Sequence, residues 1–160
     1  MNSIKDIILE HDQILRTRSK LEDMFKTIAN CRVTVGGSYM LKYWSDAYAS
    51  RVVNDYDFIL YAINLDYFKI VKFLNDLQNI LSITSKGSYN SFYLGSLNGK
   101  NINILPKKVD TLPSSDFEGL QDIIKIKEKW VADALRNERK PRPKDLEDID
   151  IFHNKITLPF

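Results

Sequence analysis

The pattern of apolar residues predicts an α/β (α+β) fold, a small mixed β-sheet with helices packed mainly on one face. Two short runs favour strands: the β-branched run Arg32–Val35, which ends at a Gly-Gly pair, and the apolar run Asn54–Ala62. Stretches with apolar residues every three or four positions flank these runs and favour helices. The expected order is helix, strand, helix, strand, helix, hairpin, helix, helix, in a single domain of residues 1–160.

Amphipathic helices are expected at both ends of the chain and before the hairpin. Residues 3–29 form the first, with this inward face: Ile4, Ile7, Ile8, Ile14, Leu15, Leu21 and Phe25. Residues 66–81 form another, with this inward face: Phe68, Val71, Phe73, Leu74 and Leu77. Residues 116–154 hold two more, separated by Pro141 and Pro143, because proline breaks a helix interior. Their inward residues are Ile123, Ile126, Trp130, Leu146, Ile149 and Phe152.

The core of the domain is expected within residues 32–105. A helix at Tyr39–Tyr48 follows the Gly-Gly pair and presents an apolar face. Ser91–Leu97 and Asn101–Leu105 are the strands of a hairpin, because Asn98-Gly99 suits a two-residue turn.

Length and composition favour one compact domain outside the membrane. A chain of 160 residues that is 44% hydrophobic buries a sizeable core without disulfides. Cys31 is the only cysteine, so its place before a strand favours a core thiol in a reducing compartment. Acids in the first fifteen residues and the lack of a long apolar run predict no membrane segment and a cytoplasmic location.

Gly36, Gly37 and Ser38 form a turn between a strand and a helix. The glycines accept backbone angles closed to other residues, and Ser38 is the expected helix N-cap. Backbone N–H groups at the helix start and the Ser38 hydroxyl together suit a phosphate oxygen. These three residues alone are more often a plain turn, and that alternative stays open.

Asp55 and Asp57 stand two residues apart at the start of the second strand, so both side chains project to the same face. Two carboxylates this close repel each other unless a cation neutralises them. Oxygen ligands favour Mg²⁺ or Mn²⁺ over zinc, which makes the pair a candidate metal site. The alternative is a pair of solvated acids at a strand entrance.

The order of strand, GGS turn, helix and D-x-D strand resembles the signature of the DNA polymerase beta type nucleotidyltransferase superfamily. In this chain about sixteen residues separate Ser38 from Asp55, so an additional turn or loop is expected between them. The resemblance implies a nucleotidyltransferase-like fold in which Ser38 binds triphosphate oxygens and Asp55 and Asp57 bind Mg²⁺ or Mn²⁺.

The same superfamily commonly has a third carboxylate on a later strand, acting as general base, where this chain has Asn103. Asparagine takes no proton at neutral pH and brings no charge to a metal site. Three explanations stay open: the chemistry is lost, another acid substitutes, or the chain is an inactivated form. A fourth is that Asn101 and Asn103 are merely solvent-facing strand residues.

The segments DIIKIK and RPKDLEDI resemble the later motifs of abortive-infection type toxin nucleotidyltransferases and their minimal relatives. In those proteins a helix lysine and a lysine-aspartate pair line the nucleotide site. The resemblance assigns these roles to Lys127, Lys144 and Asp145, and makes Asp145 a candidate for the acid that Asn103 lacks. A purely structural explanation also holds, because Asp145 and Glu147 near a helix N-terminus suit its dipole.

Two functional hypotheses follow. The first is a Mg²⁺-dependent nucleotidyltransferase that moves NMP from an NTP to a hydroxyl of RNA or tRNA, a protein, or a small molecule such as an antibiotic. The second is a catalytically degenerate module that binds nucleotide, RNA or a protein, and a cognate toxin or antitoxin partner is a weaker variant. A net charge of +2 gives little general attraction to nucleic acid. The basic run Arg136–Lys144 is placed to neutralise triphosphate or an RNA backbone, and a solvated helix end is the alternative.

Overall fold

The structure, a computed structural model, describes residues 3–81 and 91–156. The helices are α1 Ile4–Phe25, α2 Gly37–Trp44, α3 Tyr67–Ile80, α4 Leu120–Arg136 and α5 Pro143–Lys155. The strands are β1 Cys31–Gly36, β2 Asp55–Ile63, β3 Phe92–Leu97 and β4 Lys100–Val109, and a 3-10 turn spans Asp46–Tyr48. The parts of the predicted domain at residues 1–2, 82–90 and 157–160 lie outside the described residues.

Four strands of the described chain pair in the order β1-β2-β4-β3. β1 is antiparallel to β2, β2 is parallel to β4, and β4 is antiparallel to β3. The sheet is small and mixed, which confirms the predicted α+β class. The hairpin is also present, with φ angles of 53° at Asn98 and 74° at Gly99, as a tight two-residue turn requires.

The hydrophobic core lies against one face of β2. Every second side chain of this strand is fully buried there: Tyr56, Phe58, Leu60 and Ala62. They belong to one cluster with Ile14 and Phe25 of α1 and Leu74 of α3. Removing each large apolar side chain from water contributes about 2 kcal/mol to folding, so this layer fixes β2. The alternate side chains, which begin with Asp55 and Asp57, face the other way.

α1 matches the predicted first helix, but it ends at Phe25 rather than at residue 29. Three predicted core residues of α1 are buried: Ile14, Leu21 and Phe25. Three others are largely exposed, so their inward placement is wrong: Ile4, Ile7 and Ile8. A helix of 22 residues is about 33 Å long, whereas the 6 residues of β1 span about 20 Å. The first turns of α1 therefore extend past the strand on which the helix packs.

The predicted helix at Tyr39–Tyr48 is divided in two. α2 begins at Gly37, and Ser45 ends it with an extended backbone at φ −152° and ψ 135°. The Ser45 hydroxyl then accepts a backbone hydrogen bond and starts the 3-10 turn. The N-cap of α2 is Gly36, so the expectation that Ser38 caps this helix is wrong.

The other helices have the predicted positions but not all of the predicted faces. α3 buries Leu74 and leaves Phe68 87% exposed. In the C-terminal helices, Trp130 is 40% exposed and Leu146 is also largely exposed. Polar residues occupy inward positions of α4 and α5 in their place: Lys127, Asp145 and Asp148.

Cys31 is buried at the start of β1, as predicted for a core thiol, and burial raises the pKa of this thiol. Within the described ranges, no helix combines the length and the apolar character needed to cross a membrane.

Candidate functional site

Two aspartates and two asparagines lie side by side where β2 and β4 begin. In the parallel pairing Asp55 lies opposite Asn101, and Asp57 lies opposite Asn103. The Asn101 amide donates to Asp55 Oδ1 at 3.1 Å, and the Asn103 amide donates to Asp57 Oδ1 at 3.0 Å. Asn103 is only 7% exposed, so its explanation as a solvent-facing residue is wrong. Asn103 thus directly contacts Asp57.

The Gly-Gly turn lies against the same aspartate. Gly36 pairs with Asp57 across β1 and β2, and Gly37 follows with a φ of +66°. A Cβ atom on Gly37 would lie 2.1 Å from Asp57 Oδ2, so only glycine fits here. The two sequence motifs therefore meet in space, and Ser38 stands in the first turn of the helix that begins at this contact.

Residues 116–118, which were not predicted to be part of the site, are hydrogen-bonded to the end of β1 just before the Gly-Gly turn. The Val35 amide donates to Asp116 O at 2.9 Å, and the Glu118 amide donates to Val35 O at 2.8 Å. The Glu118 carboxylate is buried and accepts a hydrogen bond from the Tyr61 hydroxyl. These bonds fix the end of β1 and therefore the place of the Gly-Gly turn.

The electrostatics of Asp57 favour a bound cation. Burial raises the pKa of the Asp57 carboxyl above its usual range, and the negative charge of Asp55 adds to that shift. The hydrogen bond from Asn103 opposes it, as do the charges of Lys127 and Arg142. The pKa stays raised because the hydrogen bond and the two cations do not outweigh burial. The ionised Asp57 carboxylate would therefore be stabilised by a further positive charge nearby.

A buried ion-pair network connects α4 and α5 beside this site. Lys127 Nζ lies 3.3 Å from Asp145 Oδ1 and 3.2 Å from Asp148 Oδ2. Asp148 is fully buried and also accepts from Arg51 Nε at 2.9 Å. The hydroxyl of Tyr48 donates to the backbone oxygen of Asp148 at 2.8 Å. The network thus joins the C-terminal helices to the connection that leads into β2.

Arg142 completes the network from the solvent side. Its Nε and NH2 donate to the two oxygens of Asp145 at 2.9 Å and 2.8 Å. Arg142 and Lys127 both lie over the Trp130 ring, at 5.3 Å and 5.9 Å from its centroid. Burial acts to raise the pKa of Asp145, but these two cations outweigh burial and hold the pKa below its ordinary value.

The structure separates the three predicted C-terminal site residues. Lys127 is in the network, 5% exposed, with its charge directed at Asp145 and Asp148. Lys144 is exposed and forms no ion pair with the described residues, so Arg142 rather than Lys144 is the cation next to Lys127. Asp145 is engaged by two cations and is a weak base, which favours a positioning role over that of the missing acid.

Two network members were missed by sequence reasoning, Arg51 and Asp148, and Arg142 was expected only as part of the basic run Arg136–Lys144. Asp145 and Asp148 stand three residues apart with Ile151 three further on, and all three are buried. Two acids and an apolar residue at a spacing of three lie on the same face of a helix, so this spacing was a signal that the acids face inward. It was overlooked because apolar periodicity counts charged residues as solvent-facing.

The donor atoms at the start of β2 suit one hard divalent cation. Asp55 and Asp57 offer carboxylate oxygens, and the buried Oδ1 of Asn103 has no hydrogen-bond partner in the described chain. Mg²⁺ and Mn²⁺ prefer such ligands, with phosphates and water in the remaining positions. No group of three or more His, Cys, Asp or Glu side chains in residues 3–81 and 91–156 is placed to hold a metal. An ion here would therefore depend on ligands from a bound substrate.

Comparisons of the chain with protein-family models, with curated proteins and with solved structures found no match.

Proposed function

We propose that this protein is a Mg²⁺-dependent nucleotidyltransferase that moves NMP from an NTP to a hydroxyl acceptor. The observation that carries the proposal is the contact between the Gly-Gly turn and Asp57, with Asp55 on the same strand face. It joins a turn suited to phosphate and a pair of carboxylates suited to Mg²⁺ in one place. The cations Lys127 and Arg142 are near enough to act on the charge of Asp57.

The triphosphate binds at the start of α2 in this proposal. Backbone N–H groups after Gly37 and the Ser38 hydroxyl donate to phosphate oxygens, aided by the positive end of the helix dipole. Lys127 and Arg142 add positive charge, and the buried acids of α5 hold both cations in position. A Mg²⁺ or Mn²⁺ ion on the two aspartates of β2 would neutralise phosphate charge and polarise the α-phosphate.

The reaction exchanges one phosphorus–oxygen bond for another. The acceptor oxygen bonds to the α-phosphorus, the bond to the oxygen that bridges the α- and β-phosphates breaks, and pyrophosphate leaves with that electron pair. The hydroxyl proton needs a base. The sequence-based prediction gives that role to Asp145, whereas its ion pairs with Lys127 and Arg142 favour a positioning role. RNA or tRNA, a protein and a small molecule are all candidate acceptors, in a cytoplasmic setting.

Single-turnover transfer tests this proposal. Each NTP, labelled at the α-phosphate, is mixed with Mg²⁺, the protein and a pool of RNA and protein acceptors. We expect label on one acceptor with wild type, none with Asp55→Asn or Asp57→Asn, and wild-type transfer with the exposed control Asp110→Asn. Transfer that survives both β2 substitutions contradicts the proposed site.

The hydrogen bond from Asn103 to Asp57 favours a second candidate, a catalytically degenerate module that binds nucleotide, RNA or a cognate toxin or antitoxin. The Asn103 amide donates a hydrogen bond to Asp57 Oδ1. A third carboxylate at this position would add negative charge for a second metal ion, whereas the neutral amide adds none. Tight, Mg²⁺-dependent nucleotide binding with no transfer to any acceptor supports this candidate over the first.

A further inference from the structure

The connection between α4 and α5 carries more positive charge than the whole protein. Five of the nine residues in Arg136–Lys144 are basic and one is acidic, a net charge of +4. The entire chain has a formal net charge of +2, so the rest of it is net negative. A polyanion would therefore be attracted to the segment Arg136–Lys144 more strongly than to the rest of the chain.

Most of these charges are not used to hold the fold together. Arg136 pairs with Asp133 at 2.8 Å, and Arg142 pairs with Asp145 at 2.8 Å. Arg139, Lys140 and Lys144 are exposed and make no ion pair with any residue that the structure describes.

Helix dipoles do not explain the three free cations. Arg139 and Lys140 lie beyond the C-cap Asn137, outside the last turn in which a cation gains from the dipole. Lys144 lies in the first turn of α5, where the positive end of the dipole disfavours a cation. The solvated helix end expected from the sequence therefore accounts for Arg136 alone.

The backbone of this connection is fixed, so its cations form a preorganised surface. Glu138 has a φ of +55°, its amide donates to Leu135 O at 3.1 Å, and the Arg139 amide donates to Ala134 O at 2.7 Å. This pattern is the Schellman motif. Pro141 and Pro143 fix their own φ angles and restrict the backbone of the residues before them, Lys140 and Arg142.

The surface also adjoins the candidate site. Arg142 lies between the free cations and the buried network, and its charge acts on Asp57. The three residue steps from Arg139 to Arg142 span at most about 11 Å. A polyanion bound to the free cations would thus lie beside Arg142, the residue that borders the candidate site.

We propose that Arg139, Lys140 and Lys144 bind the phosphate backbone of a single-stranded nucleic acid whose terminal hydroxyl is the acceptor. The acceptor role, and with it the choice of a nucleic acid over another polyanion, rests on the proposed function, whereas the binding of a polyanion does not. A nucleic-acid strand offers repeated phosphates for the cations and a hydroxyl at its end. An acidic protein segment offers the charge, but a hydroxyl only where a serine, threonine or tyrosine adjoins it.

Fluorescence anisotropy with a labelled RNA 12-mer, without nucleotide or metal, tests the binding. Arg139→Gln/Lys140→Gln should weaken RNA binding roughly tenfold and lower the slope of log affinity against log salt by about 1.4. The control Lys20→Gln/Lys69→Gln removes two exposed cations on α1 and α3 that form no ion pair within residues 3–81 and 91–156, and it should bind as wild type. Equal affinity in both variants overturns the proposal.

Two further probes define the ligand. DNA of the same sequence that binds with the same loss in the variant supports recognition of the backbone. A polyglutamate peptide that binds as tightly as RNA, with the same loss, overturns the proposal in favour of an acidic protein. Nucleotide binding is measured separately on each variant, so failure of RNA binding and failure of the nucleotide site are distinguishable.

Discussion

At Gly37 the backbone and a carboxylate approach so closely that no side chain fits between them. The position requires glycine twice, for its φ of +66° and for the 2.1 Å that would separate a Cβ atom from Asp57 Oδ2. Most turn glycines meet only the first requirement. The second connects the turn to the candidate site and makes a substitution there a test of function.

Gly37→Ala should therefore weaken nucleotide binding at least tenfold, or about 1.4 kcal/mol. Gly99→Ala is the matched control, because Gly99 has a φ of +74° but open space around its Cα. Both variants should lose about 1–2 kcal/mol of unfolding free energy from the left-handed conformation, and Gly37→Ala should lose more because its Cβ atom also meets Asp57. Calorimetry that finds equal nucleotide affinity in the two variants would show that the contact with Asp57 is only structural.

Asn103→Asp places a third carboxylate next to Asp57, where an amide now donates at 3.0 Å. Without metal, the two close charges should destabilise the protein by about 1–3 kcal/mol, and Mg²⁺ should restore more stability than it does in wild type. Thermal unfolding with and without Mg²⁺ measures this. Asn75→Asp, at an exposed position of α3 away from the candidate site, is the control, and a melting temperature of Asn103→Asp that does not respond to Mg²⁺ contradicts the metal site.

At the scale of elements, α5 is attached through buried acids as well as through apolar residues such as Ile151. Asp148 is fully buried and pairs with Lys127 and Arg51 at once. Asp148→Asn should lower the unfolding free energy by about 3–5 kcal/mol, because it leaves buried cations short of a partner. Asp150→Asn, on the exposed side of the same helix, should stay within about 0.5 kcal/mol in urea unfolding. Similar losses of unfolding free energy in both variants would show that the buried ion pairs of Asp148 do not stabilise the protein.

The attachment of α1 to β1 should make stability sensitive to acid. Glu22 accepts from Arg18 at 2.7 Å and from the Val33 amide at 3.0 Å. Burial acts to raise the pKa of Glu22, but these bonds outweigh it and hold the pKa below 4.5. The unfolded state then binds more protons, so the stabilisation is complete above the unfolded pKa and is lost as pH falls through the folded one.

Urea unfolding between pH 7 and pH 3 measures this dependence. Wild type should lose stability as the pH decreases below about 4.5, and Glu22→Gln should lose less over the same interval, starting from a lower value. Asp23→Asn changes an exposed neighbour and should follow wild type. An identical slope for Glu22→Gln and wild type would exclude Glu22 as a source of the acid sensitivity.

For the whole molecule, the sequence predicted the sheet and the meeting of the Gly-Gly turn with the β2 aspartates. Glycine turns and strand alternation depend on neighbouring residues, so they can be recognised from a short stretch of sequence. The asparagine beside Asp57 was also found from the sequence. The exposed Ile4 and Phe68 were not, since periodicity shows which side of a helix is apolar but not where the sheet beneath it ends. Asp148 needed the structure, because a charged residue is recognised as buried only when its partners from other elements are known.

The whole-molecule claim is that one surface, from the Gly-Gly turn to the α4–α5 connection, is arranged for phosphates. Its fixed points are the carboxylate of Asp57, the cations Lys127 and Arg142, and the free charges beyond them. The sheet positions Asp57, and the buried acids of α5 position Lys127 and Arg142. The Schellman motif at the end of α4 positions the backbone of the free cations.

Calorimetric titration of a non-hydrolysable NTP, with and without Mg²⁺, tests this claim most directly. The account predicts that Mg²⁺ tightens binding to wild type and to Asp110→Asn, and that Asp57→Asn loses the Mg²⁺ dependence and at least tenfold in affinity. Asp57→Asn should remain folded, because it removes a charge that burial already disfavours. A folded Asp57→Asn protein that binds the nucleotide as wild type does, with the same response to Mg²⁺, would contradict the account.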